Sequence, residues 1–454
     1  MSVLNPKEYS PKQVWNIAIP VFISLLTQNI IGVTDTAFLG RLGEVALGGA
    51  SMGAMIYFCV FTLGFGLSTG TQIIIARKVG RQVYNEVGQV LGQSAMMLLF
   101  AAVVLVLLGE VWGALFFKKI FSSGAVAQAA SDYWNYRIWG YFPAFGAALF
   151  RCFYVGISRT KVLTYNSLAM AVVNIVLDYA LIFGHWGFPA LGVKGAAIGS
   201  VMAELASFTF FLIYTCKKGD RKMYGITWKA MLTPVPPLAR VILQLSIYIM
   251  LQALVSTLSW AFFFVFIEKL GEQSLAVATI IRSVYIFVYM PVIAYGTAVS
   301  TTVSQLIGAG CSSAINGYIR MVRRMSFATM FGIVMIIGLL PKLFLSIFTD
   351  DQQLITGALP VLYVILLALL VCSVGQVYFV AVSATGATKM ALYMEVVLNV
   401  GYLLYTVWAV YGHGGPVALC FAVEIWYYIF IGFVSYRFVT TGRWQDKRWA
   451  RLEA

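Results

Sequence analysis

Long apolar runs recur about every 30–40 positions from one end of the chain to the other. Each comes close to or exceeds the roughly 20 residues that cross a bilayer as helix. Twelve can be read, at about 14–39, 47–74, 88–109, 133–157, 162–184, 195–215, 238–266, 274–300, 317–346, 354–381, 388–410 and 416–437. In hydrocarbon the backbone has no partner but itself, so such runs must be helical or form a closed barrel. The alternating polarity of a transmembrane barrel is missing. Only 11% of the 454 residues are charged, against about 25% in soluble domains. The expected fold class is an all-α integral membrane protein of twelve transmembrane helices.

The net charge of +14 follows the loops. Even-numbered loops hold Arg77, Lys78, Arg81, Arg159, Lys161, Lys217, Lys218, Arg221, Lys222, Lys229, Arg320, Arg323, Arg324 and Lys389. Lys7 and Lys12 precede the first helix, and Arg443, Lys447, Arg448 and Arg451 follow the last. The odd loops hold only Arg41, Lys118, Lys119, Lys194, Lys269 and Lys342. The positive-inside rule then places both termini in the cytoplasm, which agrees with an even helix count. Positive charge marks topology here and does not gather on one face as it would for nucleic acid.

The opening "MSVLNPKEYSPK" is polar and shows no cleavable signal. Six cysteines form neither CxxC nor an extracellular framework, so free thiols are expected. His185 ("GHWG") and His413 ("GHGG") fall in short outer turns and are expected to line them without binding metal.

The chain repeats itself. "RLGEVALGGASMG" (41–53) matches "KLGEQSLAVATII" (269–281), and "IIIARKVG" runs parallel to "TVSQLIG", both at an offset of 228 residues. "FYVGISRTK" echoes "YFVAVSATGATK" with three residues inserted. The expected division is an N-terminal six-helix lobe (1–216), a basic, proline-rich cytoplasmic linker (217–237) and a C-terminal six-helix lobe (238–454). Two such parallel repeats are a transporter layout, with substrate sites near the midplane between halves.

A charge at the bilayer centre costs about 2.5–3.5 kcal/mol on insertion scales, so it usually faces the bundle interior. Asp35, Arg137, Arg151, Asp178, Glu204, Arg282, Glu395 and Glu424 stand within the runs. For Arg151, Glu424 and Glu110, which lies near an outer end, snorkelling or structural pairing is the expectation. "NIVLD" puts Asn174 and Asp178 on one helical face, and "GAAIGSVMAE" does the same for Ser200 and Glu204. At 1.5 Å per residue, Asp35, Asp178 and Ser200 lie about 6, 9 and 8 Å from the outer ends of their helices. Two carboxylates at one depth repel each other and can share a proton. With an amide and a hydroxyl the same oxygens suit a hard cation such as Na⁺. A hydrogen-bond network that only holds three helices together is the competing reading.

Four stretches resemble the multidrug and toxic compound extrusion (MATE) family, and within it the DinF-like branch: "IPVFISLLTQNIIGVTDTAFLGRLGEVALGGASMG", "NIVLD", "GVKGAAIGSVMAE" and "YMPVIAYGTAVSTTVSQLIGAG". The resemblance covers essentially the whole chain. It implies two pseudo-symmetric six-helix lobes, the MATE/MOP superfamily fold, and no enzymatic activity. It implies a cation-coupled antiporter that exports amphipathic organic cations by alternating access. Asp35 matches the family's helix-one aspartate, with Asn174, Asp178 and Ser200 as its coupling partners. H⁺ and Na⁺ both remain open as coupling ion, and so do direct competition with drug and bending of helix one around Pro20, Gly32 and Gly40.

The family's NorM-like branch carries coupling acids in the second half. Helix seven here has Gln252 and helix ten Gln376, with no acid in either. Glu204, Arg282, Tyr136, Trp139, Tyr141 and Gln252 are candidates for the cavity or for support of the coupling site. Arg282 departs from the pattern and would disfavour cationic substrates. No cofactor, no nucleic acid and a monomer in the cell (inner) membrane complete the expectation. A lipid-linked precursor flippase of the same superfamily is the alternative. It calls for a basic cavity and often extra helices. No HExxH, GxSxG or P-loop supports an embedded enzyme.

Overall fold

The computed structural model describes residues 9–121, 123–217, 219–412 and 414–445. His413, Lys7, Lys218, Lys447, Arg448 and Arg451 lie outside them. The described residues are helical throughout, with no strand among them. In chain order the helices are α1 (Pro11–Gly40), α2 (Glu44–Gly80), α3 (Val87–Ile120), α4 (Gly124–Arg137), α5 (Tyr141–Gly156), α6 (Lys161–Phe183), α7 (Val193–Lys217), α8 (Asp220–Met223), α9 (Trp228–Leu232), α10 (Pro236–Glu268), α11 (Glu272–Gly308), α12 (Ile315–Leu339), α13 (Pro341–Leu345), α14 (Gln352–Ala384), α15 (Thr388–Val407), α16 (Val417–Phe421) and α17 (Val423–Thr440).

Among the described residues, eleven helical segments are long and apolar enough to cross a membrane. The run expected at 133–157 is instead two helices, α4 and α5, joined by a 3₁₀ turn at Ile138–Gly140. Pro143 has no N–H to give, which suits the first turn of a new helix, and α5 starts two residues before it. Asp132, Asn135 and Arg137 lower the hydropathy of α4 further.

The internal repeat is built into the backbone. α2 and α11 each have 37 residues and lie 228 apart. Gly43 and Gly271, at the same offset, turn into them with φ of 107° and 102°. Gln82 pairs with Gly310 and Ser158 with Gly386, all at positive φ. This corrects the three-residue insertion read into the second match. At a constant offset of 228, "FYVGISRTK" aligns with "AVSATGATK", and the left-handed Ser158 falls on a glycine, the residue that tolerates this conformation best.

Two compact units emerge, and their boundaries fall inside helices rather than at the 217–237 linker. One is Ile23–Met250; the other joins Met1–Phe22 to Leu251–Ala454. The reason is packing. The first turns of α1 belong with the second half, where Trp15 meets the Tyr295 ring edge-on at 5.7 Å. The first turns of α10 belong with the first half, where Ser246 Oγ donates to the Leu67 carbonyl at 3.3 Å. Gly66 and Gly70 make that approach possible: a Cβ at Gly70 would sit 2.0 Å from Ser246 Oγ.

The linker is docked along α3. Gly88 N–H donates to Tyr224 O at 2.8 Å. Gln93 donates to Thr233 O at 2.8 Å and accepts from Val235 N–H at 3.0 Å.

Candidate functional site: a carboxylate pocket in the Ile23–Met250 unit

α1 buries one stripe, Ser24, Thr27, Ile31 and Leu39, and Asp35 continues that stripe half-buried. α6 buries Asn174 and Asp178 (0% exposed) on one face. The two helices bring Asp35 close enough to Asn174 and Asp178 for the three side chains to interact. Asn174 Nδ2 donates to Asp178 Oδ2 at 3.3 Å. Oδ1 of Asp35, of Asn174 and of Asp178 are all buried without a hydrogen-bond partner among the described residues. Three orphaned acceptor oxygens on two helices are costly unless a proton or cation joins them.

α7 closes the pocket with backbone. A Cβ at Gly199 would stand 1.9 Å from Asp178 Oδ1. The sequence reading singled out Ser200; Gly199 is the position that faces Asp178, and the described hydrogen bonds of the cluster do not include Ser200. About one turn beyond the carboxylates lies an apolar plug of Leu39, Ala50, Tyr133, Ile182, Ala196 and Ala197.

Beside the pocket lies a buried ion pair. Arg137 grips Glu204 with both amino groups, at 2.7 and 2.5 Å. Its guanidinium stacks 3.7 Å over the Tyr57 ring, and the Tyr57 hydroxyl donates to Glu204 at 3.2 Å. Tyr141 is fully buried, stacks on Tyr57 at 4.4 Å and donates to its carbonyl. Gly140 leaves room for all of this, since a Cβ there would be 2.3 Å from Arg137 Nη1. Arg137 also acts electrostatically on Asp35 and Asp178. Tyr136 and Trp139, on the same segment, are exposed at 42% and 52%.

The other unit has its own buried acids. Glu395 accepts from Ser256, Gln252 (3.5 Å), Asn399 (3.3 Å) and Tyr427 (2.9 Å). Glu424 is 2% exposed and accepts from Tyr402 at 3.0 Å. That burial rules out snorkelling for Glu424 and leaves structural pairing. Arg282 is exposed and lies 5.1 Å over the Phe264 ring. Among the described residues no group of three or more His, Cys, Asp or Glu side chains could hold a metal ion. Sequence reasoning missed the Glu395 donor set because its members are scattered over three helices; "EVVLN", an acid and an amide four apart, was the available signal.

Known proteins fit this geometry. The profile of the MatE family matches residues 20–180 and again 249–408, once per repeat. The probable multidrug resistance protein NorM of Thermotoga maritima is 25% identical over 77% of this chain and 75% of its own. YoeA of Bacillus subtilis, also a probable multidrug resistance protein, is 23% identical over 81% and 80%. A solved MATE structure in the straight conformation superposes with a TM-score of 0.88 at 18% identity, covering 96% of this chain and 97% of that one. With its double match, its helical repeat and its membrane-spanning segments, the chain belongs to the MatE family and is a multi-pass membrane transporter rather than an enzyme.

Proposed function

We propose that this protein is a secondary active multidrug exporter of the DinF-like branch, driven by H⁺ and/or Na⁺ through the pocket of Asp35, Asn174 and Asp178. The observation that carries the reading is the trio of buried, unpartnered oxygens. The nearest arginine is already engaged by Glu204, so the two aspartates lack a dedicated counter-charge. A proton shared between them, or a Na⁺ ligated by the three oxygens with Ser200 nearby, removes the penalty. The membrane potential contributes about 2.3 kcal/mol per charge per 100 mV, enough to couple inward movement of one or two cations to efflux.

Bending of α1 is the transmitting motion favoured by its composition. Thr34 and Thr36 hydrogen-bond back to the carbonyls of Ile30 and Gly32, a pattern that bends helices. A Cβ at Gly32 or at Gly40 would meet nothing within 4 Å. The transported compounds are amphipathic organic cations, and the protein works as a monomer in the cell (inner) membrane with both termini cytoplasmic. The alternation of basic loops supports that orientation.

The test is efflux of a fluorescent organic cation from proteoliposomes, with pH and Na⁺ gradients imposed separately. The parent is expected to pump under one of them. Asp35→Asn is expected to fold and bind drug but lose at least about tenfold in gradient-driven rate, a loss equal to about 1.4 kcal/mol of coupling. Undiminished pumping by Asp35→Asn would remove the aspartate from the mechanism. A parent indifferent to every organic cation would bring the flippase reading forward.

A further inference from the structure

Each unit carries an apolar groove, and the two are built from equivalent parts of the repeat. The first, about 480 Å³, is walled by α3, α5 and α7; the second, about 470 Å³, by α12, α14 and α17. Ala95 and Leu99 of α3 correspond, at an offset of 228, to Arg323 and Phe327 of α12. On the middle helix, Phe142 and Gly146 correspond to Leu370 and Val374 in the same way. Both grooves carry well-exposed apolar side chains. Leu99 and Leu212 are exposed at 58% and 38%, and Phe327 and Phe433 at 41% and 60%. A membrane helix with such a face meets acyl chains.

The charged side chain of each groove lies at one end. In the second, Arg323 points at the Tyr378 hydroxyl at 3.4 Å, with Arg320 acting on the same tyrosine. In the first, Arg221 is held by the Ile226 carbonyl at 3.2 Å and Trp228, 71% exposed, stands at the rim. Among the described residues no carboxylate forms an ion pair with either groove arginine. The two arginines come from different elements, yet each lies at the same end of its groove, near the start of α3 or α12 and the end of α7 or α17. A cation that terminates an apolar, membrane-facing slot matches a molecule with an anionic head and a hydrocarbon tail. An exposed tryptophan beside it is the side chain that favours the headgroup level.

We infer that each groove binds one acyl chain of an anionic membrane phospholipid, with the phosphate at Arg323 in one unit and at Arg221 in the other. The lipid fills surface that the helices leave open in each half.

Native mass spectrometry of the delipidated full-length protein tests this, with phosphatidylglycerol and phosphatidylcholine of identical chains titrated in parallel. The parent should retain two phosphatidylglycerols, with a preference of about tenfold over phosphatidylcholine, a ratio worth about 1.4 kcal/mol. Arg323→Gln should remove one lipid, Arg221→Gln the other, and the double variant both. Arg324→Gln, on the same helix but outside the groove, should keep two, and Arg323→Lys should retain the second lipid and thereby exclude misfolding as the cause. Val374→Trp, which fills the second groove, should also release one lipid. Equal retention of the two lipids, or a count of two in both Arg323→Gln and Val374→Trp, would overturn the inference.

Discussion

Within the carboxylate pocket, the pairing of Glu204 decides what the two aspartates face. Arg137 is 8% exposed and makes two charge-assisted bonds to Glu204 while stacking on Tyr57. Removing one partner of a buried pair typically costs about 3–5 kcal/mol, because the other charge is left uncompensated. In Glu204→Gln the liberated guanidinium has Asp35 and Asp178 as the nearest anions, on which it already acts. Both carboxylates would then be held ionised without an incoming cation. The expected outcome is a folded protein of lowered melting temperature that still binds drug but no longer responds to the coupling gradient. Cation-dependent protection of a cysteine-free variant in thermal melts is the readout. A Glu204→Gln protein that is stabilised by the coupling ion as much as the parent would show that the pair does not govern the pocket.

Element by element, periodicity carried most of the fold and very little of the site's finer geometry. Eleven of the twelve apolar runs match helices long and apolar enough to cross, because length and hydropathy decide that; the run at 133–157 is broken into α4 and α5. "NIVLD" gave Asn174 and Asp178 on one face because helical spacing is local, and the structure brings Asp35 to them. Gly199 was invisible because a glycine's role lies in what approaches it, here Asp178 from another helix. The Arg137–Glu204 partnership was equally hidden, since 67 residues separate the two.

The linker is the clearest case of chemistry that composition conceals. Its basic, proline-rich stretch reads as a tether, yet Gln93 of α3 satisfies both Thr233 O and Val235 N–H. A Cβ at Gly92 would stand 2.5 Å from the Met231 Cα. Gln93→Leu keeps the bulk and removes both hydrogen bonds, each worth about 0.5–1.5 kcal/mol. Limited trypsin digestion should then cut the linker faster than in the parent, with the membrane helices intact. An unchanged cleavage rate would mean that apolar packing alone holds the linker on α3.

Across the whole molecule, the division into units differs from the division into repeats, and the difference has a measurable consequence. The repeat ends at the linker, but the packing boundaries fall at Phe22/Ile23 in α1 and Met250/Leu251 in α10. Pro20 lies inside α1, two residues before the first of them. A proline there removes one backbone hydrogen bond and weakens the helix locally. Cutting the chain at the exposed Gly219, whose φ of 73° marks a turn, would therefore not yield two complete units. The first fragment would lack the α10 turns that supply Ser246 to Leu67. The second would lack the α1 turns that supply Trp15 to Tyr295. Each needs the other's first helix to finish its packing. Co-expressed fragments should assemble and co-purify through a tag on either one, whereas each expressed alone should be degraded or recovered at least about tenfold less. That yield difference corresponds to about 1.4 kcal/mol or more in the folded population. If either fragment alone gave a monodisperse, thermally cooperative species, the repeats rather than the packing units would be the folding units.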